Sequence, residues 1–342
     1  MEYALLLAPS SNRVYTAGAA ALGAAELAAF SVGALDGRLG PVAPIELAGR
    51  TYLGFSVADG PLGERDLAYL ANVSSAFALF ERVEGDLLRP IAGQPLDRYD
   101  DDLISIQKYS GKTNEHFTKL LLNVTVLASA FADRMLERKL TVLDPVCGRG
   151  TTLNQALMYG WDAIGIERDQ QDLEAYSAFM KTYLKRKRLK HNAEMTPLRR
   201  EGKKLGRRFD VTMAPDKAAH HAGETQQLTV FEADTSLARS LLKKHSAEVV
   251  VADLPYGIVH GSRGPKGIAR GPQELLETAL PGWVQLIMPG GTLGFSWNTH
   301  VAPREEAIAL VEKAGLRIVP AEGFSHWVDQ GITRDIVIAR RD

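Results

Sequence analysis

Four apolar runs in the C-terminal two thirds of the chain each finish on a carboxylate, and no other feature constrains the fold as much. They are LTVLD (140–144), DAIGIE (162–167), LTVFEAD (228–234) and EVVVAD (248–253). Short apolar runs separated by helix-patterned segments predict βα units and a mostly parallel sheet buried on both faces. In such a sheet ligands sit beyond the carboxyl ends of the strands, so the residues that end each run are the ones to read for chemistry. GTLGFSW (291–297), RIVPAEGF (317–324) and RDIVIARR (334–341) continue the pattern. The last two predict an antiparallel hairpin, centred on Asp329 to Gly331, that closes the sheet edge.

Residues 1–95 read as a separate small α+β unit, with strands at Tyr3–Ala8, Thr51–Ala58 and Ala76–Val83 and helices at Val14–Phe30 and Gly63–Asn72. IAGQPLDRYDDD (91–102) has the Pro, Gly and Asp content of a linker, which places the second unit at 96–342. The chain has 342 residues, 45% of them hydrophobic, which suits roughly two packed domains and excludes a disordered chain. Its one cysteine, Cys147, cannot close an intramolecular disulfide, so a cytoplasmic location is expected. The first residues lack the basic start and cleavage pattern of a signal peptide, and the Ala-rich stretch 19–30 is shorter than a bilayer span, so no membrane partner is expected.

The first acidic strand end opens DPVCGRGT (144–151). Here Gly148 and Gly150 permit a tight turn with close backbone approach to a ligand, Cys147 is small enough to fit it, and Thr151 starts a helix. A dinucleotide fingerprint would need a small residue where Leu153 stands, and a triphosphate loop would need a lysine where Thr151 stands. Neither fits. Glu167 follows at the second strand end, in a place where a carboxylate can accept ribose hydroxyls, and Asp234 ends the third. The fourth run continues as Asp253-Leu254-Pro255-Tyr256. An acidic side chain and a backbone carbonyl placed together can accept two hydrogen bonds, Pro255 stiffens the turn, and the Tyr256 ring offers an aromatic face.

Taken in order, DPVCGRGT, GIERD, FEADT and DLPYG resemble the class I S-adenosylmethionine-dependent methyltransferases that act on exocyclic amines, and among them the THUMP-associated tRNA guanine-N2 methyltransferases. The resemblance implies a Rossmann-like fold and S-adenosyl-L-methionine as cofactor. It implies Asp144, Cys147, Gly148, Gly150 and Thr151 at the methionine end, Glu167 at the ribose and Asp234 at the adenine. It also implies a catalytic set of Asp253, Leu254, Pro255 and Tyr256. The segment YSGKTNEHFTKLLLN (109–123) is similar to the one that covers the cofactor in these enzymes, which adds Thr113 and Phe117 to the expected cofactor site. The expected reaction is methylation of guanine N2 in tRNA. DNA adenine-N6 or cytosine-N4 methylation, a small-molecule or protein substrate, and an RNA-binding protein with a vestigial site are the alternatives. Leu254 departs from the family's usual first proline, and residues 1–95 are short for a THUMP domain with its companion.

The chain is almost neutral, with 40 basic against 41 acidic residues, but residues 181–208 carry twelve Lys and Arg against two Glu. This basic insertion is expected to meet nucleic acid through Arg186, Lys187 and Arg188, and the glycine-rich loop after the catalytic motif through Arg263 and Lys266. His191, His220 and His221 lack the spacing of a metal site, so no metal is expected.

Overall fold

Two sheets organise the chain. The computed structural model describes residues 1–9, 13–84, 87–109, 111–136, 140–200, 203–255 and 271–342, with the side chains of 13–17, 200, 203 and 204 excepted. Tyr256, Arg263 and Lys266, expected at the site, lie outside the described residues.

The N-terminal sheet is formed by β1 (Glu2–Leu7), β2 (Ala43–Leu47), β3 (Arg50–Ser56), β4 (Ala76–Arg82) and β5 (Leu88–Ile91). All neighbours are antiparallel, in the order β2-β3-β1-β4-β5. The three inner strands are those visible in the sequence. The two edge strands are not, because neither buries a face: APIEL has no buried residue, and LRPI carries a proline.

The second sheet contains β6 (Thr141–Asp144), β7 (Asp162–Glu167), β8 (Lys190–Arg200), β9 (Lys203–Ala214), β10 (Gln226–Glu232), β11 (Ala247–Asp253), β12 (Ile287–Asn298), β13 (Arg317–Val319), β14 (His326–Asp329) and β15 (Ile332–Arg340). Its order is β13-β15-β12-β11-β6-β7-β10-β9-β8, with β14 attached to β15. The inner strands β12, β11, β6, β7 and β10 are parallel, as expected. The chain moves outward from β6 through β7 to β10 and later returns to the other side of β6 as β11, which makes β6/β11 the topological switch point and opens a crevice there. The expected C-terminal hairpin is present as β14–β15 at the sheet edge. Strand β15 pairs with β12 on one side and with β13 and β14 on the other, so these two short strands share the outer edge. Seven of the nine β15 residues, Ile332 and the run from Arg334 to Ala339, are buried, so the strand belongs in the sheet interior.

The described residues of the basic stretch belong to regular elements, the end of the helix Gln170–Arg186 and the strands β8 and β9, which extend the sheet beyond β10.

The helix Glu115–Leu127 lies between the two sheets, and ten of its thirteen residues are buried. The helix Arg13–Ala34 packs against it so closely that a Cβ at Gly33 would stand 2.5 Å from the Leu127 carbonyl oxygen. Glu26 lies wholly buried in this contact. Its carboxylate accepts from the Ser74 N–H at 3.0 Å, from the Ser74 hydroxyl at 2.5 Å and from Asn123 Nδ2 at 2.7 Å. The Tyr159 hydroxyl donates to Asn123 Oδ1 at 2.8 Å, so residues far apart in sequence share one buried network. Burial raises the Glu26 carboxyl to about 7 against the opposing pull of these hydrogen bonds.

Candidate active site

The carboxyl ends of β6, β7, β10 and β11 deliver Asp144, Glu167, Asp234 and Asp253 to the same end of the sheet, as parallel strands must. Between them lie two cavities of about 300 and 290 Å³. Glu167, Asp234 and Ile166 line the first, Asp144, Thr113 and Thr151 line the second, and Val146, Asp253 and Pro255 border both. Asp253 therefore stands where the two halves meet.

The β6 turn is built around glycines. Gly148 has φ +50° and Gly150 has φ +79°, both left-handed, and a Cβ at Gly150 would lie 2.4 Å from the Tyr176 ring. The Cys147 N–H donates to the Ile166 carbonyl and the Gly148 N–H to the Glu167 carboxylate at 2.8 Å, so the turn is tied to β7 and its neighbour. Cys147 lines the second cavity with its N–H engaged within the protein, and burial pushes its thiol up, which suits a small space-filling residue and not a nucleophile.

Asp144 is 3% exposed, and its Oδ1 accepts from the Val146 N–H at 3.0 Å. Burial, with the nearby Asp253 and Glu167 carboxylates, raises it to about 7. Glu167 is also raised, chiefly by burial, while N–H donation from Asp169 and Gly148 opposes the shift. Asp234 accepts from the Ser236 N–H at 3.0 Å and hydroxyl at 2.6 Å, which orients its carboxylate at the cavity wall.

Asp253 ends β11 with one carboxylate oxygen held by the Thr113 hydroxyl and the other by the Ser296 hydroxyl. Thr113 precedes the helix Glu115–Leu127, whose start is capped by Asn114 accepting from the His116 and Phe117 N–H groups. Thr113 thus acts on the β11 carboxylate as well as lining the cavity. Ser296 was not singled out in the sequence. It is the register partner of Asp253 on β12, and a hydroxyl near the end of the neighbouring strand was the available signal. The Leu254 N–H donates to the Ser296 carbonyl at 3.0 Å, which fixes the backbone through the catalytic string. Tyr109 also escaped notice: its hydroxyl lies 3.2 Å from Thr151 Oγ1, and the Arg149 guanidinium covers its ring at 4.8 Å while Arg149 Nε bonds Asp172 at 2.8 Å.

Other expected residues lie elsewhere. Phe117 is fully buried and packs between the His326 ring, 5.1 Å away, and the Arg334 guanidinium, 4.3 Å away, lining neither cavity. Its apolar ring serves the core beside Arg334 of β15. Lys187 is held by Asp100 at 2.6 Å and Asp102 at 2.8 Å, and these carboxylates raise its ammonium further. Arg186 and Arg188 are exposed, but they sit where the helix Gln170–Arg186 meets the start of β8, at the end of the sheet opposite the cavities. The helix leaves β7 at the cavity end and runs back along the sheet for about 25 Å, at 1.5 Å per residue.

Residues 125–268 match the family model described as RMKL-like, methyltransferase domain. No curated protein matches the chain. Among solved structures, TrmN from Thermus thermophilus is 13% identical over the whole of both chains, with a TM-score of 0.45. A putative RNA methyltransferase from Pyrococcus horikoshii is 14% identical over 71% of this chain and 90% of its own, with a TM-score of 0.38. Precorrin-6y C5,15-methyltransferase from Geobacter metallireducens is 14% identical over 72% and 99%, with a TM-score of 0.39. Superpositions at this level add nothing to what the strand order already states. No helix among the described residues is long and apolar enough to cross a membrane.

Proposed function

From a chain that carries a class I methyltransferase domain using S-adenosylmethionine, we propose methyl transfer to an exocyclic amino group of a nucleobase, with guanine N2 in tRNA as the substrate. One observation carries this reading: Asp253 lies between two cavities, each of its oxygens gripped by a hydroxyl. We take residues 1–95 as a docking unit for the RNA and 96–342 as the catalytic unit, acting in the cytoplasm.

The residues fit a donor with two unlike ends. The glycine turn and the polar cavity beside Asp144 suit its amino-acid end, and the cavity walled by Ile166, Glu167 and Asp234 suits its adenosine. When bound, the donor supplies an electrophilic sulfonium methyl, whose carbon–sulfur bond breaks as the methyl is transferred so that the donor leaves as a neutral thioether.

An aromatic amine is a weak nucleophile because its lone pair is shared with the ring. A carboxylate has about four acceptor positions, enough for two hydroxyls and an amine N–H. Asp253 accepts that N–H, the Leu254 carbonyl accepts the other, and the lone pair is turned out of the ring plane. Positive charge then grows on the nitrogen as the bond to carbon forms, and the adjacent carboxylate stabilises it. After transfer the nitrogen loses a proton, which Asp253 is placed to take. Thr113 and Ser296 hold the carboxylate in position throughout, so no reorganisation is needed at the moment of reaction.

The test is nucleoside mass spectrometry. Bulk tRNA from a strain lacking the gene, incubated with the purified protein and donor, should gain N2-methylguanosine. Asp253→Ala should abolish the gain with donor affinity intact. Methylated adenine or cytosine in duplex DNA with an unchanged tRNA profile would overturn the reading in favour of a DNA enzyme.

A further inference from the structure

The five-stranded sheet has one covered face and one open face. Tyr3, Leu5, Leu53 and Phe55 point into the core that the sheet shares with the helices, and a Cβ at Gly23 of the helix Arg13–Ala34 would fall 2.9 Å from Leu53 Cδ1. Strand side chains alternate, so the residues between these point the other way. Register places Ile45, Tyr52, Leu6 and Ala78 in one row across β2, β3, β1 and β4. The next row holds Ala43, Gly54, Ala4, Phe80 and Pro90. Among the described residues Leu6, Ile45, Tyr52 and Phe80 are partly exposed, and none of the four joins a buried core.

Two rings dominate the open face. Tyr52 on β3 and Phe80 on β4 are separated by β1, two strand spacings or roughly 9.6 Å. Their ring centroids are nevertheless only 6.1 Å apart, at an interplanar angle of 67°. The rings therefore lean together over the central strand, where Ala4 is wholly buried and Gly54 has no side chain. Aromatic rings on the uncovered face of an antiparallel sheet are a surface on which single-stranded bases stack.

The charges on this face differ from those of the unit as a whole. Residues 1–95 hold six Arg and no Lys against ten Asp and Glu. On the open face, strand alternation places Arg50, two residues from Tyr52, and Arg82, two residues from Phe80 and in register with Glu2. Arg50 is exposed and Arg82 partly so. Glu46 and Glu81, in register with Thr51 and Tyr3, alternate to the helix side, which leaves Glu2 as the one acid on the open face among the described strand residues. The row of Arg82 and Glu2 meets β3 at Ser56, six residues from Arg50, so the two arginines bracket the rings roughly 20 Å apart along the strands at about 3.4 Å per residue.

We infer that the open face of the N-terminal sheet binds a single-stranded segment of the RNA substrate, its bases stacked on Tyr52 and Phe80 and its phosphates held by Arg50 and Arg82. This rests on the reading of residues 1–95 as the RNA-docking unit. Area argues against a second copy of the chain as the occupant. Four strand spacings by six residues is about 19 by 20 Å, or roughly 400 Å². That is half of the roughly 800 Å² that each partner buries in a stable protein interface. Stacking needs only one ring per base and is indifferent to sequence. The helix Glu115–Leu127 separates this sheet from the one carrying Asp253, so the face holds the body of the RNA and not the reacting base.

The experiment measures, by fluorescence anisotropy from low to moderate salt, the affinity of the full chain for a fluorescein-labelled single-stranded RNA of alternating adenine and cytosine, which does not pair with itself. Tyr52→Leu/Phe80→Leu keeps an apolar cover over Ala4 and removes both aromatic faces. It should weaken binding at least tenfold and raise KM for tRNA, with kcat and donor affinity unchanged. Arg50→Gln/Arg82→Gln should also weaken binding and reduce the salt slope by about one to two. Phe77→Leu is the control: this ring is on the same strand and 66% exposed, but it lines a cavity with Leu67 and Leu70 on the helix side. It should match the wild type. If the leucine pair binds RNA as the wild type does while the wild type methylates tRNA, the stacking face is wrong and the reaction stands. If sedimentation shows a wild-type dimer that the leucine pair dissolves, the face belongs to a second copy and the inference falls. If the wild type methylates no RNA but binds the probe at least tenfold more tightly than the leucine pair, the reaction is wrong and the stacking face stands.

Discussion

Asp144→Asn separates what the β6 carboxylate does for the site from what it costs the fold. Asp144 is buried, with two other carboxylates among the causes of its shift, and its folded-state value is about 7 against an ordinary 3.8. Between these values the folded protein keeps a proton that the unfolded chain has released. The unfolded state therefore binds fewer protons, and stability falls as pH rises through this window. Above pH 7 the full displacement costs the fold about 4 kcal/mol, at 1.36 kcal/mol per pH unit. Asparagine keeps the shape and an acceptor for the Val146 N–H, and it cannot ionise. Urea unfolding of both proteins at pH 5 and pH 8 measures the difference. The stability gap in favour of the variant should widen by about 3 kcal/mol between the two, the remainder of the cost already being present at pH 5. Titrations common to both proteins cancel. Donor affinity should fall at least tenfold even as the protein gains stability. A gap independent of pH would refute the buried-carboxylate argument.

Three further outcomes follow from the geometry. Ser296→Ala removes the hydroxyl from one Asp253 oxygen; a hydrogen bond to a charged group contributes about 1.5–3 kcal/mol, so single-turnover transfer should slow roughly 10- to 100-fold with donor affinity unchanged. Gly150→Ala forces a side chain into a left-handed residue and against the buried Tyr176 ring; strain and overpacking together should cost about 2–5 kcal/mol in denaturant unfolding, and a loss below 1 kcal/mol would contradict the contact. Glu26→Ala leaves Ser74 and Asn123 donors buried without their acceptor; stability should drop by about 3 kcal/mol or more, and hydrogen exchange should quicken in both Arg13–Ala34 and Glu115–Leu127.

The parallel core was legible because its strands are buried on both faces. AEVVVAD can hardly be anything else, and a parallel sheet brings every carboxyl end to one side, so four acids scattered over 110 residues converge without further information. The glycine turn was legible for a similar local reason, since only glycine takes the φ values found at 148 and 150 without strain. Edge strands β2 and β5 escaped because exposure on both faces erases the alternation that marks a strand.

By itself, then, the sequence determined the fold class, the runs that form the inner parallel strands and the acids at their ends, all properties carried by local pattern. Tertiary structure alone decided which polar groups meet. Ser296 reaches Asp253 only because β12 pairs in register with β11, and Glu26 reaches Asn123 only because two units share a core. It also decided that Phe117 packs under Arg334, and that Arg186 and Arg188 lie at the end of the sheet opposite the cavities. Charge and side-chain type are written along the chain, but strand pairing sets their direction and neighbours, and those decide whether a residue touches a ligand, an ion-pair partner or solvent.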